Sequence, residues 1–320
     1  MRSTASETLG SAFAADPRPP LAQNNRTATA IALAAIESLR PHQWLKNLLV
    51  FVPLAAAHRI ADLGLLLPVV RAFAAFSLCA SAVYLANDLH DIAADRAHPH
   101  KRFRAIASGR LPRWLAVTLL PVLVVAAAIV AWPLGPWFCS VLAFYLILMV
   151  GYTWRLKAII LLDAFALATG YALRVIAGSL AIGISPSARL LAFCIFLFFS
   201  LALIKRYAEL TLLEAHAGQV THARGYRLED QAFILILGIV CGALSVLVLA
   251  LYMSSSTIEH NYSRSQLIWL TCVLLLYWIS HMWLMAHRGR MTDDPLVFAV
   301  KDRVSLVLIA LMGASAWLAV

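Results

Sequence analysis

Apolar runs close to the length of a membrane span recur along almost the whole chain, separated by short charged stretches. An α-helix of about 20 residues crosses the hydrocarbon core of a bilayer, and in lipid its backbone polar groups must be satisfied within the segment. By that yardstick nine membrane helices are predicted, at 43–57, 65–87, 112–132, 136–152, 158–182, 189–210, 231–254, 265–286 and 302–320. The first is short and interrupted by Pro53. The chain is 62% hydrophobic and 13% charged, where soluble domains carry about 25% charged residues. An all-α integral membrane protein follows, with residues 29–320 as one membrane domain. Residues 1–28 are rich in Ser, Thr and Asn, include Pro17-Arg18-Pro19-Pro20, and read as a disordered tail. No short apolar run with a small-residue cleavage site marks a signal peptide.

The formal net charge of +10 comes from basic residues scattered between the spans. That distribution fits the positive-inside rule and anionic substrates better than nucleic-acid binding, which is not expected. Arg96, Lys101, Arg102, Arg104, Arg110 and Arg113 join helices 2 and 3, and further Lys and Arg residues flank loops 4–5, 6–7 and 8–9. The opposite loops hold only Arg59, Arg189 and Arg264. The N-terminus and the 87–109 stretch are therefore expected on the cytoplasmic side of the plasma (inner) membrane, with the C-terminus outside. Five cysteines lie singly in apolar segments without CxxC spacing, so disulfides and zinc are not expected.

Asn87–Gly109 concentrates charge that the rest of the chain lacks. Asp88, Asp91 and Asp95 fall within roughly a 60° arc of one helical face, with Asn87 beside them. Carboxylates gathered in this way repel one another unless a cation lies among them, and hard oxygen donors point to Mg²⁺ completed by substrate phosphates. A charged loop that merely enforces topology is the bland alternative. Pro99 ends the helix, and Lys101, Arg102 and Arg104 supply anion-binding groups. Helix 5 carries Asp163, Gly170 and Arg174 on one face, with Arg174 about 16 Å deeper than Asp163. An arginine at that depth requires an aqueous cavity, an anion or an ion pair. Tyr152, Arg155 and Lys157 precede helix 5, Lys205, Arg206 and Glu209 end helix 6, and Asp293-Asp294-Pro295 precedes helix 9. Singly these are topology or capping features; together they would line one charged mouth. His281 is expected to satisfy a local hydrogen bond. GxSxG, P-loop and GxGxxG motifs are absent.

The pattern Asn87-Asp88-x-x-Asp91-x-x-x-Asp95, followed by His98-Pro99-x-Lys101-x-x-Arg104, resembles the first signature of the UbiA superfamily of intramembrane prenyltransferases. The resemblance covers essentially the whole chain after the tail and implies a nine-helix bundle around a central cavity open to the cytoplasm. Arg40-Pro-His-Gln-Trp44-Leu-Lys46-Asn47, Asp163 with Leu173-Arg174-Val-Ile-Ala-Gly178, Lys205-Arg206-Tyr-Ala-Glu209 and Asp293-Asp294-Pro295 resemble the decaprenyl-phosphate phosphoribosyltransferase branch. That branch moves 5-phosphoribose from phosphoribosyl diphosphate to a polyprenyl phosphate, toward lipid-linked arabinofuranose. The second prenyltransferase signature, DxxxD, is missing, because Leu167 stands four residues after Asp163; Ala105 replaces the branch's usual proline.

The resemblance implies Mg²⁺ on Asp88, Asp91 and Asp95 assisted by Asn87. Lys101 and Arg104 would neutralise the leaving pyrophosphate, and Asp163 would stabilise charge at the sugar carbon. Lys46, Tyr152, Lys157, Arg174, Lys205 and Arg206 form the pool of contacts for the remaining phosphates, and a homotrimer in membrane lipid is implied. Two alternatives stay open: a prenyl diphosphate donor with an aromatic acceptor, and a transporter or scaffold with a cation site.

Overall fold

The computed structural model describes residues 27–98, 101–215, 225–254, 265–291 and 294–319. Nearly all of the expected tail, together with Pro99 and Asp293, lies outside these residues. Among them the chain is helical: α1 Ala28–Leu39, α2 Val52–Ala56, α3 Leu63–His90, α4 Ile92–Ala97, α5 Arg113–Ala131 and α6 Pro136–Trp154. There follow α7 Leu162–Ala181, α8 Ala188–Ala215, α9 Gln231–Met253, α10 Ser265–His287, α11 Pro295–Lys301 and α12 Arg303–Leu318.

Seven described helices are long and apolar enough to cross a bilayer: α3, α5 (with its 132–134 extension), α6, α7, α8, α9 and α10. The chain is a multi-pass membrane protein. Two expected spans differ. Residues 41–51 wind as a 3₁₀ helix that runs into α2, because this segment carries Pro41, Pro53 and polar groups bonded to other helices. Trp44 Nε1 donates to Ser81 Oγ at 3.0 Å and Asn47 Nδ2 to Ser77 Oγ at 3.0 Å. The last expected span, 302–320, forms the 16-residue α12, about 24 Å long at 1.5 Å per residue.

Helix α7 is the axis of the bundle, with 67% of its most apolar window buried against 22% for α5. One side of α7 packs Ala164, Ala168, Tyr171 and Val175 into a core shared with α8, α9 and α10. Its other side sends Leu173 and Ala177 into a core built from α3, α6 and the 50–54 segment. Small residues allow helices to approach closely where no hydrophobic effect drives them together. A methyl group at Gly178 would fall 2.0 Å from the carbonyl oxygen of Val50. Gly178→Ala is therefore expected to push the 3₁₀ segment off α7 and cost about 1–3 kcal/mol, measured as a lower Tm in detergent.

Candidate active site

Consecutive spans alternate in direction, so the end of α3, the start of α7, the end of α8 and the approach to α11 meet at one end of the bundle. Helix α3 stops at His90, and Asp91 (φ −93°, ψ 13°) breaks it before α4 begins. Backbone hydrogen bonds nevertheless continue across the break, from Asp91 N to Asn87 O at 2.9 Å and from Asp95 N to Asp91 O at 2.8 Å. The three carboxylates do not converge on one point as expected. Arg104 Nη1 bridges Asp88 Oδ1 (3.2 Å) and Asp95 Oδ2 (2.7 Å), whereas Asp91 faces Lys157 Nζ at 3.3 Å. Among the described residues no three His, Cys, Asp or Glu side chains are grouped closely enough to chelate one ion. The repulsion foreseen from the sequence is real; guanidinium groups relieve it in this conformation.

A second guanidinium joins them. Arg40 Nη2 donates to Asp88 Oδ1 at 2.6 Å, and its guanidinium lies 5.1 Å from the centre of the Tyr84 ring. Arg40 ends α1 with φ 53° and ψ 60°, a left-handed position where Gly or Asn is usual. Sequence reasoning did not place Arg40 in the site, since nothing local to Leu39-Arg40-Pro41 foretells that conformation.

On the opposite side Asp294 accepts from Lys46 Nζ at 2.8 Å and Lys205 Nζ at 3.5 Å. It also caps α11 through Leu296 N at 3.3 Å. A cleft of about 10 Å³ between Tyr171, Leu201, Lys205, Asp294 and Leu296 has room for a single water. This cleft, walled by the lysine–aspartate cluster, is far smaller than the central cavity that the resemblance implies. Burial alone would raise the Asp294 carboxyl, but Lys46 and Lys205 outweigh it and hold the group at about 2. A pKa depressed from the ordinary 3.9 adds stability that is complete above that value and disappears as pH falls through the folded one. Wild-type protein is thus expected to lose about 2 kcal/mol between about pH 4 and 2. Asp294→Asn should flatten that part of a Tm-against-pH curve.

Asp163, expected beside the reacting carbon, is fully buried. Its Oδ2 lies 2.5 Å from Arg206 Nε, off the N–H axis, so the contact is ionic rather than a directed hydrogen bond. Its Oδ1 accepts from Tyr226 Oη, which in turn accepts from Leu161 N at 2.9 Å. Leu161 has φ 63°, so this node braces a strained turn into α7. Arg206 also pairs with Glu209 and donates to Tyr152 Oη at 3.2 Å. Asp163, Arg206 and Tyr152 are therefore joined to one another, with Tyr226 as the member that sequence reasoning missed.

Arg174 belongs to a different network. Its Nε donates to Asn47 Oδ1 at 2.8 Å, its Nη2 to Tyr145 Oη at 2.9 Å and its Nη1 to the Gly170 carbonyl. The rings of Tyr145, Tyr171 and Phe76 lie 4.7, 5.7 and 5.8 Å from the guanidinium carbon. Among the described residues no carboxylate pairs with it, so the ion pair considered for it is replaced by aromatic faces and neutral acceptors. Asn87 is half-buried at the end of α3, and Lys101 is exposed beside Arg104. His281 Nε2 meets Asp302 Oδ2 at 3.0 Å, the local bond expected for it.

These features define a multi-pass helical membrane protein whose polar chemistry is gathered largely at one end of the bundle. Residues 47–212 match the UbiA prenyltransferase family, and the chain belongs to that family of transferases. It is 38% identical over 273 residues to nodulation protein NoeC of Azorhizobium caulinodans, covering 85% of this chain and 89% of that protein. It is 40% identical over 191 residues to decaprenyl-phosphate phosphoribosyltransferase of Mycolicibacterium smegmatis. That alignment takes in 58% of this chain and only 59% of the mycobacterial protein's length. A UbiA homolog from Archaeoglobus fulgidus, solved bound to DMAPP and Mg²⁺, shares the fold with a TM-score of 0.67 at 15% identity. The superposition covers 89% of this chain and 99% of that one.

Proposed function

We propose that the chain transfers 5-phosphoribose from phosphoribosyl diphosphate to a polyprenyl phosphate, with release of pyrophosphate, at the cytoplasmic face of the inner membrane. The observation that carries this reading is the Asp88–Arg104–Asp95 bridge, in which two buried carboxylates already hold a cation. The similarity to the mycobacterial phosphoribosyltransferase supports the choice of substrates. In this reading the 41–56 segment and α12 complete a nine-segment bundle.

Hard carboxylate oxygens suit Mg²⁺ completed by phosphate oxygens: Asp88 and Asp95, which share the Arg104 guanidinium, would hold it, and Asp91, now on Lys157, would join with Asn87. Bound there, Mg²⁺ would offset charge on the diphosphate and make pyrophosphate a better leaving group. Arg104, bonded to Asp88 and Asp95, would bind the departing pyrophosphate, with the exposed Lys101 three residues before it as a second cation. Lys157 is anchored on Asp91, so it approaches the same group from α7's side. The acceptor phosphate monoester, with a second pKa near 6, needs no general base. Lys46 and Lys205 are positioned for its oxygens or those of the 5-phosphate, and Arg174 supplies positive charge deeper in the bundle. Asp163, Arg206 and Tyr152 brace the site rather than touch the reacting carbon.

The test is transfer by purified protein from labelled phosphoribosyl diphosphate to polyprenyl phosphate, with and without EDTA. A labelled lipid that disappears with EDTA is expected. Transfer from a prenyl diphosphate to an aromatic acid, with no labelled lipid, would overturn the reading.

A further inference from the structure

We infer that Arg40 is an exchangeable counter-ion: it neutralises Asp88 in the resting site and moves to the diphosphate when a divalent cation takes the carboxylate. The inference rests on the metal–diphosphate reading above and adds a residue and an order of events to it.

Asp88 Oδ1 accepts from Arg40 at 2.6 Å and from Arg104 at 3.2 Å. An oxygen engaged by two guanidinium groups has little left to offer a metal, so a cation binding there must displace at least one of them. The exposures say which partner can move. The Asp88 and Asp95 side chains are 5% and 4% exposed, whereas Arg40 and Arg104 are 20% and 27% exposed. The acids are fixed in the bundle and the arginines reach in from its rim. The Arg206–Asp163 pair, at 1% and 0% exposure, has no such freedom.

The backbone at Arg40 points the same way. A non-glycine residue in the left-handed region costs about 1 kcal/mol, and a helix that needed only a cap would be served better by Gly. Here the strained conformation delivers a guanidinium to Asp88 from the junction of α1 and the 3₁₀ segment. Once released, its planar fork of N–H donors matches phosphate oxygens.

The consequence is mutual dependence. A divalent cation alone competes with two arginines, and a diphosphate alone meets two carboxylates. Arriving together, each removes the obstacle to the other.

Electron paramagnetic resonance of Mn²⁺ titrated into the purified full chain, with and without pyrophosphate, tests this directly. Wild-type protein should bind Mn²⁺ weakly alone and about tenfold or more tightly with pyrophosphate, one bidentate contact being worth about that factor. Arg40→Gly, which fits the left-handed backbone, should bind Mn²⁺ alone several-fold more tightly than wild type and lose most of the pyrophosphate gain. Arg40→Lys should recover part of that gain. If Arg40→Gly fails to fold by its melting curve, Arg40→Asn, also tolerant of this conformation, takes its place with the same expectation. Unchanged or weakened Mn²⁺ binding in a folded Arg40 variant overturns the inference alone. Absence of Mn²⁺ binding in every protein, with or without pyrophosphate, overturns the metal reading and the inference with it.

Discussion

Asp88→Asn is expected to reduce the proposed phosphoribosyl transfer on the order of 10³-fold, the scale of removing one preorganised electrostatic group, while the protein stays folded. The two halves of that expectation come from different features. In the proposed mechanism activity falls because the amide cannot carry the charge that would hold a divalent cation. Folding survives because Arg40 and Arg104 are partly exposed and can turn to water, and Arg104 keeps Asp95 as a partner. The buried amide can still accept from one of the two guanidinium groups, so the loss is expected to stay at about 1–2 kcal/mol. Transfer assays and melting curves on the same preparation measure both quantities. Near-normal transfer by a folded Asp88→Asn protein would remove the carboxylate from the mechanism.

The largest effect on stability is expected at the Asp163–Arg206 pair. Both side chains are essentially inaccessible to solvent, so removing one leaves a buried charge without its partner, at about 3–5 kcal/mol. Arg206→Leu should be the worse single change, since among the described residues it leaves Asp163 with the Tyr226 hydroxyl alone. Asp163→Leu leaves Arg206 its contact with Glu209, whose side chain is 38% exposed. The double variant Asp163→Leu/Arg206→Leu should recover most of the stability, because two apolar groups replace two charges. It should also regain transfer activity at temperatures where it is folded. A double variant that melts like wild type yet fails to transfer would return Asp163 to the chemistry.

How much of this was legible in the sequence depended on the range of the forces involved. Span positions follow from the continuous requirement of a lipid environment: the predicted 231–254 and 265–286 are Gln231–Met253 and Ser265–His287. The segment at 43–57 escaped that logic because its conformation depends on partners far away, Asn47 on Ser77 and Arg174, Trp44 on Ser81. The charged residues were identifiable by type, as costly groups near membrane helices. Their pairing was not, since Lys46 and Asp294 are separated by 248 positions. Asp163 shows the limit most clearly. Its place on the same face as Arg174 was readable from helical periodicity, but its partner is Arg206 on α8. Only the packing of α7 on α8 could reveal that.

The surroundings of Arg174 have a consequence of their own. The companions of its guanidinium are ring faces, an amide, a phenol and a carbonyl. It therefore acts as a fixed electrode inside the bundle, with a bias that no carboxylate among the described residues offsets. Mobile ions reach it poorly, since buried charges are screened far less than exposed ones. The attraction that rim arginines and lysines exert on an anion fades as salt is added, while the part due to Arg174 persists. The site thus has two electrostatic ranges, an outer one tuned by the medium and an inner one set by the fold.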